Sequence, residues 1–291
     1  MELRHLRYFV AVAEELSFTR AARNLNMAQP PLSQQIRDLE AEVGTSLFLR
    51  THHRVELTAA GSLFLSDARD VLSRAGDALN KVRRAAQGEE GELRLGFVGT
   101  AMVDDAVPQL LRDFRGRYPA IALHLEQLGT MPQVQALAGR RIDAGFLRPP
   151  VEEPRLVLRT VRREALMLAL PLKHPLARNR SVRLQSLARE PWVMVSRDTA
   201  AGFYQRTVDL CLQAGFSPNV SLEVGEMQTV VGLVAAGFGV ALVPAAMTAL
   251  RRRGAVYVPL AGPRAMVEIS VAYLRDNRSP VLANFLRLIR A

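Results

Sequence analysis

Of four polar side chains, Gln29, Ser33 and Arg37 recur every four residues, and Gln34, next to Ser33, stands three before Arg37, spacings that gather positions on one side of a helix. Glutamine can pair with an adenine edge at two points, and serine can bond several bases. A second constellation lies further along the chain. Val98-Gly99-Thr100-Ala101, Leu128-Gly129-Thr130-Met131, the stretch from Ser196 through Gly202 to Phe203, and Val224-Gly225-Glu226-Met227-Gln228 each close an apolar run and open a helical one. Such joints leave backbone N–H groups free at the positive end of a helix dipole, where a carboxylate can be held without lysine or arginine. Gly99, Thr100, Thr130, Gly202 and Phe203 are the expected lining: two hydroxyls, an apolar wall and the glycines beside them. Either threonine alone could be a simple helix cap; the repetition of Gly-Thr at two joints favours binding.

Catalytic chemistry finds less support. His124 lies in a strand pattern and His174 in a loop before Pro175, and neither follows a nucleophile elbow or a metal motif. Gly237-Phe238-Gly239 is followed by Val-Ala-Leu and completes no dinucleotide or phosphate loop. His52 and His53 are adjacent, but no cysteine or third ligand stands near, so loop histidines are expected rather than a metal site. The sequence therefore predicts no enzyme, no metal and no cofactor.

The first constellation needs a helix pair to hold it. Leu3, Leu6, Phe9, Val10, Ala13 and Leu16 recur at helical spacing, which predicts an amphipathic helix over about 3–15. Ser17 offers a cap, and a short helix follows from Thr19 to Leu25. Asn26-Met27 makes a tight turn. Prolines suit only a first helical turn, so Pro30 and Pro31 predict a helix starting near Gln29 or Pro30. Leu32, Ile36 and Leu39 fall on its inner face, with Gln29, Ser33, Gln34 and Arg37 outside. This is a helix-turn-helix able to enter a major groove; a plain helical hairpin shares the spacing. Gly44 ends the helix. Leu47 to Arg50 and Val55 to Leu57 then read as two strands joined by Thr51-His52-His53-Arg54. That hairpin is a wing, with Arg50, His53 and Arg54 placed to meet phosphates or the minor groove.

Thr58 can cap a helix running to about Gln87, where Gly88 stops it. Its apolar columns, such as Phe64/Val71/Ala78/Ala85 and Leu65/Leu72/Leu79/Ala86, repeat every seven residues. A stripe that long predicts burial against another chain, although packing onto its own chain would use the same pattern. Glu89, Glu90 and Gly91 are expected to form a hinge. Beyond it, apolar runs alternate with helical patterns. Strands are predicted at 92–98, 121–128, 142–147, 156–161, 165–170, 191–196, 219–224, 240–244, 255–260 and 266–274, between helices at 104–118, 131–141, 201–214 and 226–237. The chain closes on an amphipathic helix. Two α/β units follow, each with a mainly parallel sheet.

Bulk properties set the class. The chain has 291 residues, a formal net charge of +10 and a single cysteine, Cys211. No internal disulfide is possible, no apolar run is long enough to span a membrane, and the first residues lack a secretion signal, so a cytoplasmic protein is expected. The charge excess is not where the helix pair lies. Residues 1–57 carry seven basic and seven acidic side chains, 58–91 five of each, and the remainder 26 and 16. Any nucleic-acid contact rests on local placement, and the basic C-terminal part favours an anionic ligand.

Several runs resemble LysR-type transcriptional regulators. They are Leu3 to Glu14, Ser17 to Ala22, Ala28 to Glu40, Leu47-Phe48-Leu49-Arg50 and Leu57-Thr58-Ala59-Ala60-Gly61. The resemblance implies an α/β fold class with an N-terminal winged helix-turn-helix (1–57) and a linker helix with hinge (58–91). A two-lobed periplasmic-binding-protein-like domain would follow, with lobes at 92–162 plus 267–291 and at 163–266. It implies reading of double-stranded DNA by Gln29, Pro30, Ser33 and Gln34 with wing support from Arg50 and His53. It also implies a homo-oligomer, dimeric through antiparallel linker helices and usually tetrameric. Many members have arginine at the position of Gln34, so a weaker preference for guanine is expected there. Gly96 to Gly99, Gly129-Thr130, Arg141 to Phe146, His174-Pro175-Leu176 and Val231 to Gly237 are similar to the branch controlling aromatic-compound breakdown. That similarity implies a small organic anion such as muconate or benzoate. Some of those relatives carry a second, arginine-lined anion site. Arg148 and Arg162 match two of its positions, but Gly225 stands where a basic residue would complete it. A solute-binding protein or an enzyme is the remaining alternative.

Overall fold

In the computed structural model, residues 1–50, 54–103 and 105–289 are described. They form two compact units, Met1–Arg84 and Ala85–Ala291.

In the first unit, α1 (Leu3–Glu15) buries Leu6, Phe9, Val12 and Ala13. Ser17 Oγ accepts from Arg20 N–H and starts α2 (Phe18–Asn24). Asn26 takes a left-handed φ of 51° in the turn, a conformation asparagine tolerates. The prolines open α3 (Gln29–Val43), and Gly44, at φ 78°, ends it. Leu32, Ile36 and Leu39 are fully buried, each contributing about 1.5–3 kcal/mol of burial. Strands β1 (Phe48–Arg50) and β2 (Val55–Leu57) pair antiparallel, Phe48 opposite Leu57 and Arg50 opposite Val55. Phe9 binds the layers together, its ring centroid 5.3 Å from Phe48 and 5.0 Å from Phe64.

Thr58 Oγ1 accepts from Gly61 N–H and donates to Ser46 O, capping α4 (Ala59–Ala86). Gly61 is required there, since a Cβ would lie 2.0 Å from Leu47 O. Phe64, Leu65 and Leu72 pack partly against the winged core. Leu63, Leu79 and Val82 stand exposed at 72%, 58% and 68%. The reading of packing onto the same chain holds for the first part of the stripe, and the later part is left exposed.

The first strand of the second unit begins one residue earlier than expected, inside the predicted hinge. Gly91 is already the first residue of β3 (Gly91–Phe97), paired with Ile121. A 3-10 turn, Gly99–Met102, precedes α5 (Ala106–Arg117). There follow β4 (Ile121–Gln127), α6 (Thr130–Ala138), β5 (Ala144–Leu147) and a 16-residue strand, β6 (Leu156–Pro171). The remaining elements are β7 (Pro191–Val195), α7 (Arg197–Gln213), β8 (Asn219–Val224), α8 (Met227–Ala235), β9 (Ala241–Pro244), β10 (Ala255–Pro259), β11 (Met266–Leu274) and α9 (Pro280–Leu288).

Strands β4, β3 and β5 are parallel, and β11 joins antiparallel between β5 and β6. The later part of β6 pairs antiparallel with β9 and β10. Strand β8 is parallel to β7, which bridges to Val240 through Trp192. The two strands predicted at 156–161 and 165–170 are thus one, shared by both sheets. Arg162-Arg163-Glu164 holds no glycine or proline to break it. The sheets are also less parallel than expected, because β6 and β11 carry the chain between them against the direction of their neighbours. Helix α9 returns to the first sheet, where Phe285 meets Phe114 edge-on at 5.1 Å. Asn284 Nδ2 donates to the carbonyls of Gln87 and Gly88, tying the end of the linker to α9. Among the described residues no helix is long and apolar enough to cross a membrane.

Candidate functional site

The rim of α3 presents Gln29, Pro30, Gln34 and Arg37 to solvent. Gln34 is held at both ends: its Nε2 donates to Asp38 Oδ1 at 2.7 Å, and its Oε1 accepts from Arg37 Nη2 at 2.6 Å. Ser33 departs from expectation. It is only 9% exposed, and its Oγ accepts from Gln29 Nε2 at 2.8 Å. Ser33 sits on the flank between Leu32 and Ile36, and Gln29, one turn earlier, folds across it. Its immediate structural effect is to hold Gln29 in place.

Arg50 also departs. Its Nη2 lies 2.6 Å from Glu40 Oε2, and its guanidinium stacks 4.9 Å over the Phe18 ring. The other oxygen of Glu40 accepts from the amides of Leu47 and Phe48. Arg50 therefore clamps the wing to α2 and α3 instead of reaching outward, since a charge-assisted bond plus ring stacking outweighs solvation of a side chain already half covered. Arg54 does reach outward, 80% exposed and 3.5 Å from Glu56. His53, with Thr51 and His52, lies outside the described residues.

In the second unit all four strand-to-helix joints converge on one cleft. Gly99 and Thr100, Gly129 and Thr130, Thr199 and Phe203, and Gly225 to Met227 line it, together with Arg148. Gly202 lines an adjoining cavity that shares Phe203 and Arg148. Helix α7 bends here, Ala200 having φ −143° and ψ 52°.

Arg148 organises the floor. It directly follows β5, whose four residues are all buried. Its Nε donates to Thr100 Oγ1 at 3.2 Å and its backbone N–H to Thr130 Oγ1 at 3.4 Å. Its Nη2 bonds Glu164 Oε1 at 2.8 Å, and Glu164 Oε2 accepts from Ala246 N–H at 2.7 Å. Because each threonine oxygen accepts from Arg148, each hydroxyl proton is left to donate elsewhere. Among the described residues neither hydroxyl spends it on a protein group. The cleft thus offers two hydroxyls able to donate and the N-terminal amides of α6, beside the apolar faces of Val98, Phe203 and Met227. That is a set for one small anion with an apolar remainder.

Three features escaped the sequence reading. Arg148 serves this cleft, whereas it was expected in a separate anion site. Glu164 neutralises it from β6, and Glu226 stands exposed at the cleft. A charged residue immediately after an all-apolar strand was the available signal, since a buried charge demands a partner. Arg162 does not join Arg148: it is exposed on β6 and lines neither this cleft nor the adjoining cavity. The histidines have local duties. His174 Nδ1 accepts from Leu176 N–H at 3.1 Å, and His124 Nε2 lies 3.6 Å from Glu92 at the surface. Among the described residues no group of three His, Cys, Asp or Glu could hold a metal.

Residues 3–62 match the family model described as bacterial regulatory helix-turn-helix protein, lysR family, and residues 86–291 match the LysR substrate binding domain. The chain is 40% identical over 288 residues to the HTH-type transcriptional regulator AlsR of Bacillus subtilis, covering 99% of this chain and 95% of that protein. It is 37% identical over 292 residues to the regulator BenM of Acinetobacter baylyi, covering 100% and 95%. Its fold is similar to the crystal structure of CbnR, a LysR family transcriptional regulator, with a TM-score of 0.88 at 32% identity over 100% of both chains. Full-length CbnR complexed with its target DNA gives a TM-score of 0.85 at 32% identity, covering 100% of this chain and 99% of that one. Each of these comparisons spans at least 95% of both chains. The chain belongs to the LysR family of DNA-binding transcriptional regulators, with an N-terminal helix-turn-helix and a C-terminal effector-binding domain, and is not an enzyme.

Proposed function

We propose that this regulator responds to a small organic carboxylate bound in the cleft of the second unit, with Thr100 and Thr130 donating to the carboxylate and Phe203 packing on its apolar part. The observation that supports it is the convergence of four strand-to-helix joints on two hydroxyls that each already accept a hydrogen bond from Arg148. The resemblance to regulators of aromatic-compound breakdown extends the reading to intermediates such as benzoate or muconate. On the DNA side, Gln29, Pro30 and Gln34 read base edges with Arg37 beside them. Ser33 sets the pose of Gln29, and Arg54 and His53 approach the backbone. The exposed Leu79 and Val82 of α4 pair with a second copy, and the effector domains carry the dimer to a tetramer.

A thermal-shift screen of small carboxylates tests the cleft. A ligand that binds the native state raises the melting temperature by mass action, and the rise should vanish in Thr100→Val and Thr130→Val. An unchanged rise in both variants removes the cleft from the reading. A gel-shift assay with DNA upstream of the protein's own gene tests the other half, the shift weakening with added salt.

A further inference from the structure

We infer that the effector-binding domain carries a second contact for duplex DNA: a row of cations along strand β10 that grips the phosphate backbone without reading sequence. This goes beyond the winged helix-turn-helix and does not depend on the cleft.

The first observation is how charge is distributed. Residues 165–189 and 227–267 contain nine basic side chains and not one aspartate or glutamate. Residues 92–291 hold 26 basic and 16 acidic side chains, an excess of ten, so these two segments account for nearly all of it.

The second observation is that the topology gathers those charges. Strand β6 ends at Pro171, opposite Ala255 of β10, and Leu172 N–H donates to Gly254 O at 2.8 Å. The chain then travels to the other end of β10. There Val182 N–H donates to Pro259 O at 2.9 Å, and Val182 O accepts from Ala261 N–H at 2.8 Å. The loop 172–183 therefore runs the length of β10, about 20 Å at roughly 3.3 Å per residue. Lys173, Arg178, Arg180 and Arg183 stand exposed on it, and Arg251 to Arg253 stand exposed just before Gly254.

The third observation is that these charges are not neutralised. Among the described residues none of the seven forms an ion pair. The first carboxylate after the loop, Glu190, lies 3.3 Å from His174 Nε2. Like charges so closely set repel one another and raise the local positive potential. A partner whose own charges stand in a row relieves that repulsion. One strand of duplex DNA sets a phosphate about every 3.4 Å of axis, roughly six over this length.

The surroundings favour DNA over an acidic protein surface. Protein interfaces centre on an apolar core depleted of charge. Here the exposed large apolar side chains, Leu172 and Leu250, are confined to one end of the row, and Asn179 and Ser181 lie among the cations. Polar, strongly basic surfaces are those that meet DNA.

The experiment treats the full chain with phenylglyoxal, which modifies accessible guanidinium groups, with and without a random-sequence duplex. Mass spectrometry then locates the modified arginines. At low salt the duplex should slow labelling of Arg178, Arg180, Arg183 and Arg251 to Arg253 several-fold, and high salt should abolish that protection. The exposed Arg275 and Arg278 should label equally in both samples. In Arg251→Gln/Arg252→Gln/Arg253→Gln, the slope of log affinity against log salt for the same duplex should be shallower by about two to three. Arg112→Gln/Arg275→Gln/Arg278→Gln, which removes as much charge elsewhere, should keep the parent slope. Unprotected arginines in the row, or an equal change of slope in both triple variants, would overturn the proposal. Protection by poly-glutamate with none from the duplex would also overturn it and assign the row to an acidic protein.

Discussion

Arg148 and Glu164 meet at 2.8 Å with both side chains more than nine-tenths buried. The second oxygen of Glu164 receives the amide of Ala246, the second residue of the turn Ala245–Ala249 that follows β9. One carboxylate on the shared strand β6 therefore joins the floor of the cleft to the second sheet. Glu164→Ala should cost about 3–5 kcal/mol, because it strands a guanidinium out of water. Replacing both residues by methionine should recover most of that loss, since no charge remains to be solvated. Urea unfolding of the two variants checks this; an equal loss in both would show that the pairing is not what Glu164 contributes.

The recognition helix makes a similar distinction between touching and positioning. Gln29→Ala should reduce discrimination among DNA sites by about 1–3 kcal/mol. Ser33→Ala should have a smaller effect, because Ser33 lies beneath Gln29 and bonds it. In a Gln29→Ala background the Ser33 substitution should add almost nothing. Competition binding with single-base variants of the operator measures the cycle, and full additivity would mean that Ser33 reaches the bases independently.

Two wing arginines should separate cleanly. Arg50→Ala breaks the bond to Glu40 and uncovers Phe18, so it should lower the melting temperature of the winged unit. Arg54→Ala removes an exposed charge and should leave the melting temperature alone. Its effect should be weaker DNA binding, with the slope of log affinity against log salt shallower by about one. Calorimetry and salt-dependent gel shifts read the two effects; the opposite pattern would exchange their roles.

Cys211 is fully buried among the apolar side chains of the second core. Burial raises its thiol from 9.0 to about 12, because a thiolate there would be desolvated. Alkylation by iodoacetamide at pH 8 should therefore be undetectable in the folded protein and rapid in urea. The sign for stability follows from proton uptake. Between pH 9.0 and about 12 the open chain ionises and the folded one does not, so this group makes the fold less stable as pH rises through that window. Rapid labelling of the native protein at pH 8 would contradict the burial.

What the amino-acid sequence determined alone was local. The seven- and three-to-four-residue periods, Pro30 and Pro31 at a helix start, Gly44 at its end and the run boundaries at Gly99, Gly129 and Gly225 are short-range signals, because propensity and capping act within a few residues. They were enough for the winged helix-turn-helix, the linker helix and the four joints of the cleft. Tertiary structure decided what those residues then met. It turned Ser33 under Gln29, spent Arg50 on Glu40 and Phe18, merged two strands into β6, and brought Glu164 to Arg148 across 16 positions of sequence. A side chain's partner and the width of a gap depend on distances between elements far apart in the chain, and those distances are set by packing, which no periodicity records.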